Sequence, residues 1–77
     1  MAMPLESHFI YTNHARRRMI ERKVTTDQVQ AVVLAPDTWR HGEDDEIIAT
    51  KYIGKRTVMV VYLTLPEGVK VITVMVD

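Results

Sequence analysis

Cysteine is absent from this 77-residue chain, which excludes disulfides and thiolate metal sites and fits a reducing compartment. Only three glycines occur, and they form neither a Gly-rich phosphate loop nor a nucleophile elbow. Long apolar runs are missing too. The longest, Val58 to Leu63, falls far short of the about 20 residues that cross a bilayer. Residues 1–7 lack the basic start and apolar centre of a signal peptide. No internal repeat or interdomain linker is found, so the expectation is one cytoplasmic domain over residues 8–77 behind a flexible leader, with no membrane contact. A domain this small buries only about 60% of the surface its unfolded chain exposes, so a partner would add stability.

A net charge is also lacking, ten basic residues balancing ten acidic ones. The balance hides a sorting along the chain. Arg16, Arg17, Arg18, Arg22 and Lys23 crowd one stretch with Glu21 as its single acid. Asp27, Asp37, Glu43, Asp44, Asp45 and Glu46 follow, opposed only by Arg40. With no overall charge to draw in nucleic acid, any polyanion must be met by a local basic face, within a Debye length of about 10 Å.

Local signals divide the chain. His8 to Tyr11 reads as a short strand, and Thr12 or Asn13 as the cap of a helix running to Lys23. Thr25 and Gln28 have capping-box spacing, and Val29, Val32 and Val33 make an apolar stripe that ends before Pro36. Beyond it the period shortens to that of strands: Thr38 to His41, Glu46 to Ile53, Arg56 to Thr64 and Val69 to Val76. Gly54 and the Leu65–Gly68 turn make antiparallel hairpins of the last three. The expected fold is α+β, two N-terminal helices packed on a curled, mainly antiparallel four-stranded sheet. Val58 to Leu63 is apolar at every position, so both faces of that strand need cover, and a homodimer or partner complex follows as a hypothesis. Trp39 is expected to anchor the sheet to the second helix.

On a helix, His14, Arg18 and Arg22 stack four residues apart, beside the buried strip of Ala15 and Met19. Imidazole and guanidinium at such a margin suit phosphate binding or metal-independent cleavage of RNA through its 2′-hydroxyl, which needs an acid, a base and cations on phosphorus. His14, Arg18 and Tyr52 are the catalytic candidates; Arg18, Arg22, Lys51, Lys55 and Arg56 are the nucleic-acid-binding ones. The same residues also admit a plain reading: His14 bonded to backbone, the arginines a solvated face with Glu21. The acidic loop from Gly42 to Glu46 lacks calcium-loop spacing and no paired-histidine zinc spacing occurs, so no metal or cofactor is expected.

The string H-A-x-x-R-M-x-x-R, His14 to Arg22, followed by Val24-Thr25-Thr26-Asp27-Gln28-Val29 and three strongly apolar strands, resembles a family of small bacterial and phage domains of unknown function. That family is similar in arrangement to the RelE, ParE and BrnT toxins. The resemblance implies a RelE-like fold over about residues 9 to 76, RNA as a target and an antitoxin-like protein as a partner. RelE-like relatives are ribonucleases, whereas ParE-like ones inhibit gyrase. The carried-over positions are His14, Ala15, Arg18, Met19 and Arg22. Two functions are therefore expected in competition: a toxin-like ribonuclease or RNA-binding domain, and a non-catalytic module that dimerises or binds a protein through its sheet.

Overall fold

Thr12 ends a short strand and begins a helix. Its extended backbone frees its hydroxyl to accept from the Ala15 N–H at 3.0 Å, while the same oxygen donates to Ile72 O, pinning the helix start to the last strand. The computed structural model describes residues 8–77; the expected leader, residues 1–7, lies outside the described residues. The elements, in order, are β1 (Phe9–Tyr11), α1 (Asn13–Arg22), α2 (Thr26–Leu34), β2 (Thr38–His41), β3 (Ile47–Ile53), β4 (Arg56–Leu65) and β5 (Gly68–Val76).

Helix α1 stops at Lys23, whose left-handed backbone (φ 57°) turns the Val24 N–H back onto Met19 O. Helix α2 starts at once, because Thr25 and Gln28 complete a reciprocal capping box. It ends before Pro36, which excludes helical geometry at Ala35.

The sheet is mixed and has five strands, in the order β1-β5-β4-β3-β2. Strands β2 to β5 are antiparallel neighbours, as the hairpin signals require. The expectation of four strands is corrected by β1, which pairs parallel to β5 through Phe9–Val69 and Tyr11–Val71. The single crossover, carrying both helices, makes that parallel pairing possible. On β5 the register shifts after Thr73, which faces Val61, so that Val71 rather than Ile72 faces Tyr62; Ile72 is the extra residue of a bulge.

Both helices lie on one face. Ala15 and Met19 of α1 and Val29, Val32 and Val33 of α2 meet Val58, Val60 and Tyr62 of β4, Ala49 of β3 and Val69, Val71 and Val74 of β5. All are small or β-branched except Met19 and Tyr62, and this lets the helices sit close to the pleat. The opposite face of β4 carries Met59, Val61 and Leu63, all partly exposed. Trp39 is no anchor. Its ring is 58% exposed and meets His41 edge-on, because β2 is the edge strand beyond the reach of α2.

No helix among the described residues is long and apolar enough to cross a membrane.

Candidate functional site

Helix α1 places its basic residues by simple rotation. With Ala15 and Met19 turned to the sheet, a step of about 100° per residue puts Arg17 outward and His14, Arg18 and Arg22 on the flank beside β5. His14 Nε2 and Thr73 Oγ1 share a hydrogen bond of 2.9 Å, with Thr73 next to the β5 bulge. Beside it, Arg18 is one helical turn along. Its Nη1 lies 3.5 Å from Glu21 Oε1, while its Nε is buried without a partner. Arg22 and Lys23 close the helix, exposed to solvent.

Arg56 comes to the same corner from β4, but its guanidinium is engaged. It donates to Arg22 O and, at 2.8 Å, to Lys23 O, satisfying carbonyls that the end of α1 leaves without helical partners. Lys51 is engaged as well, donating to Ala35 O at 2.8 Å and lying 3.7 Å from Asp37 Oδ1. Asp37 also accepts from the Tyr52 N–H at 2.9 Å. These contacts tie β3 to the end of α2.

The structure therefore gathers His14, Arg18 and Arg22 on one ridge, with Arg56 behind its C-terminal end. Tyr52 is not brought to them. It pairs with Thr57, whereas Thr73, the partner of His14, pairs with Val61. Two strands across and four residues along, from Val61 to Thr57, make a separation of roughly 15 Å. Lys55 sits in the β3–β4 turn, exposed, on the side of the sheet that Tyr52 shares.

The grooves lie elsewhere. One of about 440 Å³ runs between α1 and α2, lined by Tyr11, Arg16, Met19, Ile20, Val24 and Thr26. The Tyr11 hydroxyl is buried there without a hydrogen-bond partner; Gln30 approaches it but does not complete one. Burial holds the Tyr11 phenol above its ordinary pKa, and burial does the same to Tyr62. A second groove of about 350 Å³ borders the β4–β5 turn beside His8 and Glu67. A third, of about 240 Å³, is formed by Asp44, Glu46, Val61, Leu63 and Ile72. Among the described residues no cluster of His, Asp and Glu suitable for a metal is found.

Two features escaped sequence reasoning. Thr73 carries no motif, and its bond to His14 joins residues 59 positions apart. The capping function of Arg56 joins residues 33 and 34 positions apart, a separation no sequence spacing encodes.

The chain belongs to the family described as a domain of unknown function, DUF4258, whose pattern matches residues 11–76. No curated protein and no solved structure matches the chain.

Proposed function

We propose that this domain is a toxin-like RNA-interacting protein that receives the phosphate backbone along the exposed flank of α1. The observation that carries the reading is the basic surface of α1: Ala15 and Met19 are consumed by the core, Arg22 shares the flank of His14 and Arg18, Arg17 faces outward, and the cations of Arg17, Arg22 and Lys23 are all left in solvent. Glu21, the ridge's one carboxylate, is already occupied by Arg18. An RNA strand laid along α1 meets guanidinium groups whose planar forks suit phosphate oxygens.

The resemblance to RelE, ParE and BrnT toxins suggests cleavage. In that case His14 is the acid or base of a metal-independent ribonuclease and Arg18 and Arg22 are the clamp on phosphorus. His14 suits the role because its ring is exposed while its Nε2 is steadied by Thr73, leaving the other ring nitrogen for a proton transfer. Tyr52, Lys51 and Arg56 fall outside this proposed centre, Tyr52 by distance and the two cations by their structural bonds.

Single-stranded RNA incubated with the protein in chelator tests both parts. Binding that is lost in the double variant Arg17→Glu/Arg22→Glu supports the interface. Cleavage that disappears in His14→Ala and in Arg18→Ala, with binding retained in the first, supports the catalytic role. Equal binding by wild type and the double variant refutes the proposal.

A second reading, a protein-binding module, is favoured by Met59, Val61 and Leu63, which lie partly exposed on the face of β4 opposite the helices.

A further inference from the structure

We infer that the groove between α1 and α2 binds a small free carboxylate with an aromatic or branched apolar body. This goes beyond the RNA reading and uses the flank of α1 opposite His14, Arg18 and Arg22.

The position follows from the helix period. With Ala15 and Met19 turned to the sheet, the rotation that carries His14, Arg18 and Arg22 to the β5 side carries Arg16 and Ile20 to the side facing α2. Met19 and Val24 are buried at the bottom of the groove. Ile20 stands above them 79% exposed, the most exposed large apolar side chain among the described residues. An apolar occupant takes that surface out of water. The groove's volume of about 440 Å³ lies within the range of small-molecule sites, about 300–1,000 Å³.

Polarity chooses the ligand's head group. Arg16 is the one charged residue in the lining, exposed and in no ion pair with a described residue. The Tyr11 hydroxyl, in the same lining, is buried and makes no hydrogen bond. Buried polar groups are rarely left so, because nothing replaces the lost bond to water. Both groups donate, Arg16 through a planar fork and Tyr11 through its O–H, so their complement is an acceptor that carries negative charge. Asp27, in the first turn of α2, also reaches this corner, but at the phenol oxygen the charge of Arg16 outweighs it. One guanidinium and one neutral donor match a monoanion, whereas a phosphate dianion beside Asp27 would be left under-compensated. The Tyr11 hydroxyl sits next to Gln30, and rotation of that half-buried side chain opens it to the ligand.

Titration of the isotope-labelled full chain, without RNA, followed by its amide resonances, tests this. Phenylacetate is the ligand, with phenylacetamide and phenethylammonium as its neutral and cationic analogues. Phenylacetate is expected to shift the amides of Ile20, Val24 and Thr26 with a dissociation constant on the order of 1 mM. The neutral analogue should bind about ten-fold more weakly, and the cation more weakly still. Arg16 is exposed, so Arg16→Gln keeps the fold, and it is expected to reduce phenylacetate to the affinity of phenylacetamide. Tyr11→Phe is expected to weaken phenylacetate about ten-fold and to melt no lower than wild type, since the hydroxyl removed has no partner. No shift of the groove amides at about ten times the expected dissociation constant overturns the inference. Equal affinity for phenylacetate and phenethylammonium overturns it also, by showing apolar adsorption alone, and so does wild-type affinity in Arg16→Gln. A Tyr11→Phe variant that melts well below wild type overturns it too, by showing that the hydroxyl is satisfied within the fold. No residue of this groove is among the cations assigned to RNA, so failure of either reading leaves the other intact.

Discussion

Replacing Arg56 by alanine separates a structural cation from a nucleic-acid-binding one. In the wild type its guanidinium donates to Arg22 O and Lys23 O at the end of α1. Each such bond from a charged donor contributes about 1.5–3 kcal/mol when sheltered. Here the corner is partly solvated, and water replaces the lost donor at the carbonyls, so the pair is expected to be worth about 1–2 kcal/mol together. In a domain of this size that lowers Tm by roughly 5–15 °C. Arg56→Lys retains the charge but cannot span both carbonyls as a fork, so its loss should be about half as large. Thermal and urea unfolding followed by circular dichroism measure both variants. RNA affinity, measured well below the lowered Tm, is expected to stay within about two-fold of wild type, since the exposed cations of α1 are untouched. Unchanged stability in Arg56→Ala, or a large loss of RNA affinity without destabilisation, would refute the reasoning and return Arg56 to the binding surface.

Other sites give independent checks. Thr25→Ala breaks the reciprocal cap of α2 and should cost about 1 kcal/mol in urea unfolding. Gly68→Ala should cost more than about 2 kcal/mol in the same assay, because the backbone there has φ 155° and a Cβ would collide with the His8 carbonyl oxygen and side chain. Burial raises the phenol pKa of Tyr11 and Tyr62 in the folded state. The stability they contribute is therefore fully present below the unfolded value of about 10 and is lost as pH rises through the folded one. Spectrophotometric titration should show these phenols ionising late, and Tyr62→Phe should reduce the alkaline loss of stability.

Much of this architecture is legible in the chain. Thr25 and Gln28 announce a helix start by a bond three residues long, and Leu65 to Gly68 announces a turn that pairs its own ends. The apolar period on either side of Pro36 separates helix from strand. What is hidden depends on distance along the sequence. The pairing of Phe9 with Val69 needs the crossover to return to the right edge, which no local pattern specifies, and so the strand read at His8 to Tyr11 is left out of the expected sheet. Trp39 misleads for a related reason: its size predicts burial, but its strand occupies the edge that α2 does not reach.

The candidate site follows the same rule. The ridge of His14, Arg18 and Arg22 is visible because helical spacing alone creates it. The occupation of Lys51 by Ala35 O and Asp37 is set by the meeting of two elements in space. Basic composition near a hairpin could not distinguish a free lysine from a tethering one. Lys55, one turn away in the same hairpin, is the exposed member.

The account rests on the α1 ridge meeting phosphates, and the salt dependence of single-stranded RNA affinity tests that most directly. If Arg17, Arg18, Arg22 and Lys23 each neutralise a phosphate, log affinity should fall with log salt at a slope of about −3, and Arg17→Gln/Arg22→Gln should reduce it to about half. A slope near zero, or one that the double variant leaves unchanged, would contradict it.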